Sequence, residues 1–130
     1  MLRRARARYA QAVTAAPGNG DLHVDPARLS SWLAEQPPPQ VIDVREAYER
    51  DAGHIEGTRH IELTQLPTQA GELDRERPVV FYCRVGSRSL MAAQAFRASG
   101  FTAYSLDGGL VRWVQEGHPL SPPDGHVADH

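Results

Sequence analysis

The chain has 130 residues, 41% of them hydrophobic and 23% charged, with a formal net charge of -2. At this length one domain buries roughly two-thirds of the surface its unfolded chain exposes, so a core can form without disulfide or metal staples. The charge balance lacks the basic excess of a nucleic-acid binder, no apolar run reaches the length of a membrane span, and a single Cys excludes an internally disulfide-bonded scaffold.

All 14 basic residues are Arg, which removes lysine as a base or Schiff-base former. The segment MLRRARARYAQAV has the charge of a signal n-region without the apolar run that should follow. A lone thiol needs a reducing compartment to stay free, so a cytoplasmic protein is expected.

Residues 1–20 read as a basic extension, with Leu2, Ala5, Tyr9, Ala12 and Val13 at near-helical spacing in its first part. Read functionally, that part is a basic contact for an acidic partner or membrane surface; the plain alternative is an appended helix that packs on the domain or frays. Asp25-Pro26 is a helix start, since Asp caps and Pro suits the first turn. Leu29, Trp32 and Leu33 give that helix an inner face, and Pro37 to Pro39 end it. VIDV at 41–44, a short apolar run, reads as a strand, 46–52 as a polar helix closed by Gly53, and 58–62 as a short strand. Leu63 to Leu73 is weakly helical, with Pro67 and Gly71 as flaws. VVFYC at 79–83 is the clearest strand. Ser87 to Ser99 is the clearest helix, with Leu90, Met91, Ala95 and Phe96 as its expected inner face and Gly100 at its end. TAYSL at 102–106 forms another strand. Asp107-Gly108-Gly109 opens a last helix with Leu110, Trp113 and Val114 expected inward. The domain thus spans 21–120, and 121–130, rich in Pro, Gly, Asp and His, reads as a disordered tail.

Strands alternating with helices call for a single α/β domain, a central parallel sheet with helices on both faces. Ligand sites in such sheets lie beyond the carboxyl ends of the strands. Cys83 closes a buried strand and therefore stands on that edge. After it, Arg84, Val85, Gly86 and Ser87 form a tight loop, and Arg88 and Ser89 begin a helix. A helix start presents unpaired N–H groups and partial positive charge, which together bind anions. Gly86 lets successive N–H groups turn inward. Such surroundings, flanked by arginines, favour the thiolate, which is the nucleophilic form. Arg84 and Arg88 offer forked charge to an anionic substrate. Taken alone, a strand-end Cys is more often a small core residue; the loop, the arginines and the immediate helix argue for chemistry.

CRVGSRS resembles the active-site loop of rhodanese-like domains, in which a Cys and an Arg bracket four residues. VIDVREAYERDAGHIEGTRHI resembles the family's DVR, E and GHI-x-G stretch, and GFTAYSLDGGLVRWVQEGHPL its closing segment, so the likeness covers about residues 22–120. It implies a doubly wound α/β fold and a two-step sulfur exchange. Cys83 would be the catalytic persulfide carrier, and Arg84, Val85, Gly86, Ser87, Arg88 and Ser89 would bind the substrate. A small anionic donor such as thiosulfate would give its outer sulfur to Cys83. Cyanide, a thiol or a protein would then accept it, without metal or organic cofactor, nucleic acid or membrane. Phosphatase relatives of the same fold carry a loop one residue longer, which ranks phosphatase or arsenate reductase chemistry lower. A sulfur-relay or binding module without turnover is the other alternative.

Asp43 and Arg45 stand at the end of the VIDV strand and are supporting candidates, as a charge-paired brace or an ordinary turn-capping pair. His54 in the GHI context is expected to fix a turn. The family usually has Ala after the GHI-x-G glycine, where this chain has Thr58, a departure that either lies on the open surface or alters the pocket rim. Donor, acceptor identity and oligomeric state are left open.

Overall fold

The computed structural model describes residues 21–130, and the basic extension over 1–20 lies outside them. Five strands form one sheet: β1 (His23–Val24), β2 (Gln40–Asp43), β3 (Arg59–His60), β4 (Val79–Tyr82) and β5 (Ala103–Leu106). All pairings are parallel, in the order β1-β5-β4-β2-β3. The helices are α1 (Pro26–Leu33), α2 (Ala47–Ala52), α3 (Leu66–Gln69), α4 (Ser87–Ala98) and α5 (Gly109–Gln115). No helix among the described residues is long and apolar enough to cross a membrane.

The central strands are buried on both faces, so they read as apolar runs rather than alternations. Their side chains nonetheless alternate in destination. Ile42, Val79, Phe81, Cys83 and Ala103 point to one core, which Leu66 of α3 and Ala92, Ala93 and Phe96 of α4 complete. Val41, Val80, Tyr82, Tyr104 and Leu106 point to the other, closed by Leu29 and Trp32 of α1 and Leu110 and Trp113 of α5. Helices therefore cover both faces, as expected. Aromatic contacts knit each layer: Phe96 lies 4.9 Å from Phe81 and 4.8 Å from Phe101, and Trp32 meets Tyr104 edge-on at 5.6 Å between ring centroids. Trp32 and Leu29 have no exposed surface, and burial stabilises each such side chain by about 1.5–3 kcal/mol.

Local signals act as anticipated at several points. The Asp25 carboxylate accepts the Arg28 amide at 2.8 Å, capping α1. Pro67 and Gly71 break 63–73 into a 3₁₀ turn (Leu63–Gln65), α3 and a second 3₁₀ turn (Ala70–Glu72).

Three expectations are corrected. The inner face of α4 is Ser89, Ala92, Ala93 and Phe96, while Met91 is 61% exposed. A polar residue takes the inward position because Ser89 finds hydrogen-bonding partners there. On α5, Leu110 and Trp113 are buried but Val114 is largely exposed. The segment 121–130 is docked rather than disordered. Ser121 and His54 exchange backbone hydrogen bonds of 3.0 and 2.7 Å, and the His126 amide donates to the Ala52 carbonyl at 2.9 Å. The docking site is Gly53, where an added Cβ would lie 2.6 Å from the His126 oxygen. Val127 and Leu120 then pack on the second core. Composition suggested a solvated tail because its anchors at Ser121 and His126 are backbone groups, which composition does not record.

Candidate active site

β2 and β4 are neighbours whose chain connections leave in opposite directions, β2 to β3 on one side and β4 to β5 on the other. Their carboxyl ends therefore form the switch point at which a doubly wound sheet opens a crevice. Asp43 lies opposite Tyr82 in the register, so Asp43, Arg45 and Cys83 all stand near that edge of the sheet.

Cys83 leaves β4 with no exposed surface. One flank of the residue joins the apolar core; the sulfur faces polar groups of the following turn. The Gly86 amide donates to Sγ at 3.1 Å and the Ser89 amide at 3.4 Å. The thiol in turn lies 3.5 Å from Ser89 Oγ, which is 2.7 Å from Ser105 Oγ and 3.2 Å from the Gly86 carbonyl oxygen. Gly86 caps α4 with a left-handed φ of 107°, a conformation that a side chain would strain. The amides of Arg84, Val85, Ser87 and Arg88 have no acceptor among the described residues, as expected for a loop running into the first turn of a helix. The loop is also tied from behind. Leu110 and Val111 amides of α5 donate to the Cys83 and Arg84 carbonyls at 2.9 and 3.0 Å. Gly109 permits this approach, since an added Cβ would lie 2.5 Å from the Arg84 oxygen.

The two loop arginines have different settings. Arg88 gives both terminal nitrogens to the fully buried Glu49 of α2, at 2.8 and 2.9 Å. Its fork is thus occupied by protein, and its positive charge, rather than a free fork, is what it presents to the sulfur. Hydrogen bonding to Glu49 holds the Arg88 guanidinium above its ordinary value; burial works against this, and the charges of Glu49 and of an ionised Cys83 add to it. For Glu49, burial opposes ionisation, yet the Arg88 hydrogen bonds and the Glu46 amide, at 3.0 Å, outweigh it and hold the carboxyl below the usual range. Arg84 is half-buried, and its one ion-pair partner among the described residues is the exposed Asp129 at 3.4 Å.

At the end of β2, Asp43 and Arg45 are both fully buried and paired through two hydrogen bonds of 2.8 and 2.9 Å. Arg45 also donates to the Gly53 carbonyl, and its own carbonyl lies 2.7 Å from His60 Nε2. Burial works against its charge, but Asp43 raises it further. The two side chains are thus charge-paired in the interior. His54 fixes its turn through the backbone exchange with Ser121 and an Nδ1 contact to the Arg50 carbonyl at 3.2 Å. Thr58 is buried away from the rim: its Oγ1 donates to the Ile55 carbonyl at 2.6 Å and lies 2.9 Å from the Tyr82 hydroxyl. Tyr82, pushed up to about 12 first by burial and then by Asp43, stays a neutral hydroxyl that also accepts the Ile55 amide.

Sequence reasoning missed Glu49 and Ser105. Glu46-x-x-Glu49 at a helix start was a legible signal for the first. A Ser inside an otherwise apolar strand, which must find a partner if buried, was one for the second.

The chain matches the rhodanese-like domain family over residues 25–116. Uncharacterized protein YqhL from Bacillus subtilis is 45% identical over 75 residues, an alignment that takes in 57% of this chain and 60% of that protein. Thiosulfate sulfurtransferase GlpE from Pseudomonas aeruginosa is 39% identical over 75 residues, 57% of this chain and 68% of that one. A rhodanese-related protein from Thermoplasma volcanium has a crystal structure that superposes with a TM-score of 0.70 at 26% identity, covering 75% of this chain and 95% of its own. Amide-ringed cysteine, parallel sheet and family match agree: the chain belongs to the rhodanese-like domain family, among whose members are named sulfurtransferases.

Proposed function

We propose that the protein is a sulfurtransferase that carries sulfane sulfur as a persulfide on Cys83. The observation that carries the reading is the Gly86 and Ser89 amides donating to Sγ at the head of α4. Donors fixed on a developing anion need no reorganisation during reaction, which makes such sites effective. In the first step the Cys83 thiolate attacks the outer sulfur of a donor such as thiosulfate. An S–S bond forms, the bond to the sulfonate sulfur breaks, and sulfite leaves with that electron pair. Ser89 Oγ turns its proton to the sulfur while Ser105 supports it. Loop amides without a protein acceptor then hold the terminal persulfide sulfur. In the second step cyanide, a thiol or a protein nucleophile attacks that sulfur and releases the thiolate. Arg88 supplies positive charge, Arg84 meets the donor's sulfonate, and Asp43–Arg45 keeps the sheet edge rigid. The relationship to a named thiosulfate sulfurtransferase supports this donor class.

Intact-mass measurement after thiosulfate tests the reading. Wild type should gain one sulfur, and Cys83→Ser none. Thiocyanate release with cyanide separates an enzyme from a relay module, which would load sulfur without turning over. Absence of any loading, with hydrolysis of an aryl phosphate instead, would refute the proposal.

A further inference from the structure

We infer that Asp129 sets which sulfur donors the site admits, by occupying Arg84 in place of an anion; this rests on the sulfur-transfer reading above. Each of the two loop arginines is answered by a carboxylate, but the two carboxylates differ. Glu49 is wholly buried and bound to Arg88 through two hydrogen bonds, so it is a permanent part of the site. Asp129 is 99% exposed and meets Arg84 through one long contact of 3.4 Å. Among the described residues, the buried Arg84 Nε–H also finds no acceptor. Its capacity to bind an oxyanion is therefore only partly used, and the carboxylate in front of it is exchangeable.

Asp129 is held in this position by its backbone. Its carbonyl accepts the Tyr48 hydroxyl at 3.1 Å, and the neighbouring His130 lies 3.2 Å from Glu46. Further back, the chain is anchored at Ser121 on His54 and at His126 on Ala52. The segment thus runs as a strap from the Gly53 turn to the exposed end of α2, ending against the loop. A donor sulfonate that reaches Arg84 must displace the Asp129 carboxylate and then sit beside it. That arrangement penalises a dianion such as thiosulfate more than a monoanion such as methanethiosulfonate, which carries the same transferable sulfur.

The test uses the full chain. Thiosulfate binding is measured calorimetrically at low salt in a Cys83→Ser background, where no sulfur can transfer, with and without Asp129→Asn. Binding should tighten by about two- to five-fold, the range of one exposed ion pair, and the gain should fade at high salt. Adding Arg84→Gln should abolish the gain. With Cys83 present, Asp129→Asn should lower KM for thiosulfate more than for methanethiosulfonate. Unchanged or weaker thiosulfate binding in Asp129→Asn overturns the inference, as does a gain that persists without Arg84. Loss of sulfur transfer with the binding gain intact would instead strike the sulfur-transfer reading alone.

Discussion

Replacing Glu49 with Gln should destabilise the fold and loosen the loop, because it removes one charge from the buried pair with Arg88 while keeping the shape. Removing one partner of a buried ion pair costs about 3–5 kcal/mol when the other is stranded. Here Arg88 retains 18% side-chain exposure and Gln keeps one acceptor oxygen, which brings the expected loss to about 2–3 kcal/mol. At this chain length that is a fall in Tm of roughly 6–15 °C. The loss should depend on pH with a definite sign. The folded protein holds Glu49 below its ordinary pKa, so its contribution is present above the unfolded value of about 4.3 and disappears as pH falls through the folded one. Urea unfolding at neutral pH should therefore separate wild type from Glu49→Gln most widely, and the two curves should converge in acid. A difference below about 0.5 kcal/mol at neutral pH, the size of an ordinary surface substitution, would refute the assignment of Glu49 as the anchor of the loop.

Gly109→Ala should lose about 2–4 kcal/mol by chemical denaturation, combining a left-handed φ with an unavoidable clash on the Arg84 carbonyl, and should slow sulfur loading in the intact-mass assay. Tyr82→Phe should cost about 1–3 kcal/mol, since it strands the buried Ile55 amide and a Thr58 contact, with little change in sulfur loading. Thr58→Ala should cost less, about 1 kcal/mol, because Tyr82 keeps its bond from Ile55; equal losses in the two variants would show the shared hydroxyl network to be misassigned.

The strands around the site were legible because burial on both faces leaves an apolar signature: VIDV and VVFYC stand out against their flanks. Cys83, the Gly86 turn and the start of α4 were legible because a thiol, a flexible residue and a helix head are visible one after another. What pairs with the loop was harder to read. Glu49 lies 39 residues before Arg88, and nothing local marks a charge as buried. The face of α4 was misread because apolar residues were assumed to point inward, whereas Met91 faces out and Ser89 faces in. β1, two residues long, has too little pattern to register. The tail over 121–130 was misread for a different reason: its anchors at Ser121 and His126 are carbonyls and amides against a glycine surface, which look alike in any polar sequence.

The two hydrogen bonds from α5 to the carbonyls of Cys83 and Arg84 bear on how the anion cradle is built. A trans peptide unit points its oxygen and its hydrogen in opposite directions. Pinning those two oxygens rearward therefore turns the hydrogens of the same two peptide units, the Arg84 and Val85 amides, away from α5. On the sulfur-transfer reading, a neighbouring helix thus sets the direction of those two amides before any donor arrives.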